Sequence, residues 1–270
     1  MDAIVLAGGG ANPEDPLFGL SAGKPKALLP IAGKPMVQWV LDALAEASSI
    51  HRVFVVGLGT DCGLSYPGPL QYASDAGSLL GNVRLGLQLS AADGPGSRKV
   101  MVVSSDIPAI QPSMVDWVAR EAISVPVDLC YCAIDRTVME ARYPESGRSY
   151  IRFRDREVCG GDLSVVDTGI LRGGNSIWQR LVEGRKSAFR MAWAVGLDVL
   201  ILLLFRRLSI DDLVRVAQSR LGIHGRVIHS PYAELGMDVD KPYQFDIMER
   251  DLYGNGTAAG GGDRPGQDQT

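Results

Sequence analysis

Leu6-Ala7-Gly8-Gly9-Gly10, followed by Lys26-Ala27-Leu28-Leu29-Pro30 and then Gly33-Lys34-Pro35-Met36, is the stretch that decides the fold. It is entered through Ala3-Ile4-Val5-Leu6-Ala7, a continuous apolar run of the kind found in a strand covered on both faces. The glycines come immediately after it, where bare backbone N–H groups can approach an anion with no Cβ in the way. Beyond the loop a helix is expected from Pro35 to Ala47. Val37, Val40, Leu41, Leu44 and Ala47 recur there at i, i+3, i+4 spacing, and Pro35 suits a first helical turn. Two familiar phosphate patterns fail on this stretch. The dinucleotide fingerprint runs straight from glycines into a helix, whereas Pro13 and about twenty further loop residues intervene here. The P-loop fails on spacing at Gly19–Gly23, and Pro25 stands where its metal-binding hydroxyl belongs.

Outward from that stretch the pattern alternates. Strands are expected at Arg52–Val56, Leu70–Ala73, Lys99–Val103 and Asp128–Ile134, and helices at Ala76–Ala91 and Pro112–Ile123. Such alternation implies an α/β fold, a mostly parallel central sheet with helices on both faces. Tyr150–Arg154 and Leu163–Val166 read as two more strands, divided by Gly160-Gly161. Helices follow at Asn175–Val182, near Phe189–Phe205 and at Ile210–Leu221, which Ser209 can cap, then a strand at Gly225–His229 and a helix at Tyr243–Leu252. From Gly254 to Thr270 there is no large apolar residue. The expected organisation is one domain over residues 1–253 and a disordered Gly-rich tail over 254–270.

Composition narrows the function. The chain has 270 residues with 27 Lys+Arg against 31 Asp+Glu, a formal charge of −4, and its hydrophobic share of 46% is enough for a full core. A slightly acidic chain lacks the basic excess of a nucleic-acid binder. Cys62, Cys130, Cys132 and Cys159 form no C-x-x-C pair, and His51, His224 and His229 offer no zinc spacing, so reduced thiols of a cytoplasmic protein are expected. The N-terminus shows no basic region with a cleavage site. The most apolar stretch, Met191 to Phe205, is about 15 residues long and contains Asp198, short of the about 20 that a membrane span needs. No membrane span is expected, and association into a homo-oligomer stays open.

Taken together, the three motifs of the opening stretch resemble the signature of the MobA-like NTP transferases, nucleotidyltransferases of the nucleotide-diphospho-sugar transferase superfamily. The resemblance is strong over residues 1–45 and extends in organisation to about residue 250. It implies a Rossmann-like, GT-A-like fold. It also implies transfer of an NMP group from an NTP to a phosphorylated small-molecule or cofactor-precursor acceptor, with pyrophosphate released and Mg²⁺ required. By the same resemblance Leu6, Ala7, Gly8, Gly9 and Gly10 hold the nucleotide, and Lys26 neutralises charge on the α-phosphate. Such transfer is mostly positioning and charge stabilisation, for which a lysine is a compact, movable cation. Asp106, after Val102-Val103-Ser104-Ser105 and two residues before Pro108, matches the family's catalytic metal-binding aspartate. Gly236-Met237-Asp238-Val239-Asp240-Lys241-Pro242 resembles its D-x-D-T-P element, with Lys241 in place of threonine. Asp240 is the first choice as second metal ligand and Asp238 the alternative; in extended chain the two would project to one side. Base and ribose recognition is expected at Asp75, Ser78 and Asn82, although Asp75 equally suits a helix cap.

One departure stands out: many relatives carry S-x-R between the glycines and the lysine, whereas here Asn12–Phe18 holds no arginine and two acids. Two other readings compete with the enzyme: a non-catalytic NTP-binding sensor, and a glycosyltransferase that uses a nucleotide sugar. Lys26 and the glycine motif favour nucleotidyl transfer over the latter.

Overall fold

The structure is a computed structural model describing residues 1–92, 98–173 and 207–258. In chain order its elements are β1 (Asp2–Leu6), β2 (Pro30–Ile31), β3 (Lys34–Pro35), α1 (Met36–Glu46), β4 (Arg52–Val56), β5 (Leu70–Ala73), α2 (Leu79–Ala91), β6 (Lys99–Ser104) and α3 (Pro112–Ile123). The chain continues through β7 (Leu129–Asp135), α4 (Arg136–Arg142), β8 (Ile151–Arg152), β9 (Glu157–Asp167), α5 (Ile210–Leu221), β10 (Gly225–Ser230) and α6 (Pro242–Ala258). The main sheet runs β10-β7-β9-β6-β1-β4-β5, with β8 added on β9. Its pairs are parallel except those of β9, which lies antiparallel to β6, β7 and β8.

Continuous apolar strands form because both faces of the sheet are covered, and successive side chains take opposite faces. Ala3 and Val5 of β1, Val53 and Val55 of β4, and Met101 and Val103 of β6 share one core with Val40 and Leu44 of α1 and Val115 and Val118 of α3. Ile4, Phe54, Val56, Val100 and Val102 turn the other way and meet Leu87 of α2. Ile210 of α5 packs on Ala133 and Val158 of the same sheet. Ser209 caps α5 as expected, in a reciprocal capping box with Asp212. A third core gathers Leu17, Leu29, Ile31, Met36, Ile134, Met139, Val239 and Met248. It fixes the β2–β3 hairpin and α6 to the rest of the fold, and holds Leu29 at the end of the 3-10 turn Lys26–Leu28, whose Ala27 belongs to the first core.

Several elements differ from the sequence reading. Gly160-Gly161 does not divide two strands: β9 is one run of 11 residues, and the irregularity appears as a register shift against β7 between Tyr131 and Ala133. The hairpin β2–β3 and the seven-residue α4 are too short to impose a period on the sequence. Ala32 (φ 46°) and Gly33 (φ 90°) form the hairpin's two-residue turn, in which both central residues take positive φ. Helix α2 starts at Leu79 rather than Ala76. Helix α6 continues to Ala258, past Gly254, where the tail is expected to begin. The helices expected at Asn175–Val182 and near Phe189–Phe205 lie outside the described residues, as do 259–270. Among the described residues no helix is long and apolar enough to cross a membrane.

One glycine joins the sheet to the ligand end. Gly57, at φ 109°, follows β4, and a Cβ there would stand 2.3 Å from the Gly8 nitrogen and 2.7 Å from the Ala7 carbonyl carbon. Both obstacles are backbone. Gly57→Ala is therefore expected to destabilise the fold by about 2 kcal/mol or more through the left-handed conformation and the clash together. That corresponds to a melting midpoint lowered by roughly 4–8 °C in a scanning calorimeter. An unchanged midpoint would mean that the two loops do not depend on this close approach.

Candidate active site

The parallel strands β1, β4, β5 and β6 end on the same edge, and the loops beyond such ends are where α/β sheets bind ligands. The extension of β1 is secured by Ala7 N–H donating to the Val56 carbonyl at 2.8 Å, and that of β6 by Ser105 N–H donating to the Leu6 carbonyl at 3.1 Å. Between them opens a cleft of about 580 Å³. Leu6, Gly8, Gly9, Gly10, Lys26, Asp75, Ser78, Asn82 and Asp106 all line it. They come from four separate segments of the sequence. Ala7 is buried just beneath the loop.

One wall is a hydrogen-bonded loop. The Asp75 carboxylate accepts from the backbone N–H groups of Gly9 and Gly77, each at 2.8 Å. Those two bonds hold the Asp75 carboxyl below its ordinary range. The Asn82 side-chain carbonyl accepts from Ala76 N–H at 2.7 Å. Ser78, not Asp75, caps α2, its hydroxyl accepting from Gly81 N–H at 3.1 Å. A Cβ at Gly8 would lie 2.3 Å from the Asn82 amide nitrogen, so glycine there lets Asn82 keep its place. Asp75, Ser78 and Asn82 thus shape the glycine loop and the start of α2, with their named polar atoms committed to the backbone.

The opposite wall carries the charges. Lys26 Nζ lies 2.6 Å from Asp106 Oδ2 and 2.5 Å from Asp240 Oδ1. Burial alone would lower the Lys26 ammonium, but Asp106 and Asp240 outweigh it and push its pKa well above the usual lysine value, so it is charged at any working pH. Asp106 is oriented from two sides. Its Oδ1 accepts from the Ser104 hydroxyl at 2.5 Å, and its backbone carbonyl accepts from Val239 N–H at 3.0 Å. The second bond attaches segment 237–240 to the end of β6. Asp240 N–H in turn donates to Gln244 Oε1 at 3.0 Å, while Gln244 Nε2 donates to the Ser146 carbonyl at 3.2 Å. Pro242 opens α6, as a proline at a first helical position does.

Asp238 does not join this group. It forms an ion pair with Arg148, so the two aspartates of the D-x-D element take different cations. Sequence reasoning missed Arg148, Gln244, Ser104 and Asp162. Asp162 stands beside the β9 register shift, where a bulge re-aims side chains. Burial pushes its carboxyl up to about 7, Asp106 and Asp240 add to the rise, and Arg148 counters it. The sequence signal for it is a carboxylate just after Gly160-Gly161, a pair that by itself reads as a strand break.

The loop without an arginine uses its polar side chains for its own backbone. The Asn12 side chain accepts from Glu14 N–H at 3.0 Å and the Asp15 carboxylate from Leu17 N–H at 2.8 Å, two local turns that deliver Leu17 to the core. Lys24 is exposed, while Lys34 pairs with Asp42 and lies over the Trp39 ring, 3.7 Å from its centre. Among the described residues, no group of three or more histidine, cysteine or carboxylate side chains converges as a metal site.

Comparison with known proteins agrees with this arrangement. A sequence-family profile described as the MobA-like NTP transferase domain matches residues 3–219. The solved structure of a hypothetical transferase from Thermus thermophilus superposes with a TM-score of 0.77 at 35% identity, covering 90% of this chain and 98% of that one. CMP:2-keto-3-deoxy-manno-octonic acid synthetase complexed with CTP superposes at 0.59 with 14% identity, covering 94% of this chain and all 100% of its own, and shows the fold alone. A curated relative, 2-C-methyl-D-erythritol 4-phosphate cytidylyltransferase of Prochlorococcus marinus (strain MIT 9313), is 41% identical over 58 residues, 22% of this chain and 23% of that protein's length.

Proposed function

The chain belongs to the MobA-like NTP transferase family, and from that premise we propose that it transfers a nucleotidyl group from an NTP to an anionic small-molecule acceptor, releasing pyrophosphate. The observation that carries the reading is the single ammonium of Lys26 held between Asp106 and Asp240 at the mouth of the glycine cleft. The Gly8–Gly10 loop, which Asp75 holds in shape through the Gly9 N–H, receives the triphosphate, and Lys26 sits where charge builds on the α-phosphate. An ionised oxygen of the acceptor attacks the α-phosphorus in line as pyrophosphate leaves. Such an oxygen needs no general base, in keeping with a cleft whose lining contains no histidine. A phosphate monoester is the acceptor group that this chemistry suits best.

Asp106 Oδ2 and Asp240 Oδ1 reach one cation from distant parts of the chain, a pair of hard anionic oxygens that fits Mg²⁺. With only two carboxylates, the ion would complete its shell from phosphate and water. When bound, it would stabilise negative charge developing on the phosphates. CTP is the donor to test first, because the relative with 41% local identity is a cytidylyltransferase.

The test is pyrophosphate release with each of the four NTPs and Mg²⁺, across a panel of sugar phosphates and phosphorylated cofactor precursors. Release that needs both one NTP and one acceptor is expected. Nucleotide binding with no release from any pair would favour a sensor, and release of a nucleoside diphosphate from a nucleotide sugar would favour glycosyl transfer.

A further inference from the structure

The Lys26 ammonium occupies the carboxylate oxygens that a divalent cation would use. Its three N–H donors include one spent on Asp106 Oδ2 and one on Asp240 Oδ1. The second oxygen of Asp106, Oδ1, already accepts from the Ser104 hydroxyl at 2.5 Å, so a cation there would compete with that hydrogen bond. A cation arriving at Oδ2 therefore meets a positive charge already seated there, and the two repel. The lysine is also placed to leave. It lines the same cleft as Gly8, Gly9 and Gly10, so a triphosphate lying on that loop offers its oxygens to the same ammonium.

We infer that Lys26 is an internal cation that keeps the Asp106–Asp240 pair closed to divalent metal until a nucleotide triphosphate draws the ammonium away. The inference rests on the proposed nucleotide site and adds to it an order of binding. Metal and nucleotide become coupled through one side chain: the free protein binds the metal weakly, and the triphosphate both releases the carboxylates and completes the shell. By reciprocity, metal strengthens nucleotide binding by the same factor.

Mn²⁺ is the probe, followed by the electron paramagnetic resonance of its free ion, with no nucleotide present. Lys26→Met is expected to bind Mn²⁺ about tenfold more tightly than the unaltered protein. Lys24→Met removes the same charge from the exposed side of the loop and is expected to leave the affinity within about twofold of the unaltered protein. Adding Asp106→Asn to Lys26→Met should cancel the gain, which locates the metal on the carboxylate. Lys26→Gln, which keeps hydrogen bonding but no charge, is the second variant should Lys26→Met fail to fold, and it should also bind more tightly. Equal Mn²⁺ affinity in a folded Lys26 variant and the unaltered protein would overturn the inference, as would an equal gain in Lys24→Met. Nucleotide binding is measured separately in EDTA. Its absence there and with Mg²⁺ alike would remove the proposed function, while the Mn²⁺ comparison would still decide whether Lys26 guards the carboxylates.

Discussion

Lys26→Ala is expected to lower nucleotidyl transfer by about 10²–10³-fold at saturating substrates, the usual loss when one preorganised donor is removed from a developing charge. The side chain is held rather than waving in solvent: it is 24% exposed and fixed by two short contacts, one to the end of β6 and one to segment 237–240. Alanine removes the charge, both contacts and the compact reach of an ammonium. Lys26→Arg should recover little, because a planar guanidinium cannot sit as a point charge between two carboxylates. The substitution also removes the Lys26 charge that counters the rise of the Asp162 carboxyl near Asp106 and Asp240. Without that ammonium the neutral form of Asp162 is favoured further in the folded state. Folded-state pKa values raised in this way favour folding below the unfolded carboxylate pKa, near 4, and lose that contribution as pH rises through the folded value, which for Asp162 is already about 7. The thermal destabilisation of Lys26→Ala relative to the unaltered protein should accordingly be larger at pH 7.5 than at pH 5. Pyrophosphate release and a pair of melting curves check both parts. A folded variant that keeps full turnover would remove Lys26 from the reaction.

How far the sequence discloses this site depends on the range of the forces involved. The buried strands were legible because both faces are covered and every residue of Ile4–Val5, Phe54–Val56 and Val100–Val103 must be apolar. Lys26, Asp106 and Asp240 were legible for another reason. Each belongs to a local motif bounded by glycine or proline, and the family resemblance supplied their partnership, which no local pattern contains. What escaped was set by tertiary contact alone. Arg148 reaches Asp238, and Gln244 links Asp240 to Ser146, across long separations with no periodic or motif signature. The same blindness made Asp238 an alternative to Asp240, since two aspartates of one extended segment look equivalent until their cations are known. Asp75 was undecided between cap and ligand for a related reason. A carboxylate before a helix can cap it, but Ser78 lies nearer the first turn and takes that role, leaving Asp75 to hold Gly9.

Asp106→Asn separates charge from shape at the other half of the pair, and it too should cost about 10²–10³-fold in transfer. Asparagine has nearly the volume of aspartate. It can still accept from the Ser104 hydroxyl through its side-chain carbonyl, and the Val239 N–H bond reaches a backbone oxygen that the substitution does not touch. Segment 237–240 should therefore stay docked, Asp240 should remain on Lys26, and the melting midpoint should move by no more than a few degrees. What is lost is one negative charge at the point where the ammonium and any divalent ion are held. Nucleotide binding in EDTA should be retained or slightly tightened, because a negative charge near the triphosphate has gone. Its enhancement by Mg²⁺ should fall, so that the defect appears in metal-dependent binding and in turnover together. Asp240→Asn is expected to follow the same direction with a smaller loss, since that carboxylate is 53% exposed against 12% for Asp106 and water screens it more. Ser104→Ala should be milder again, as it frees Asp106 to rotate without removing its charge. The ranking Asp106, then Asp240, then Ser104 is the quantity to measure. A larger loss at Asp240 than at Asp106 would make the D-x-D element, and not the end of β6, the principal anchor of the reaction.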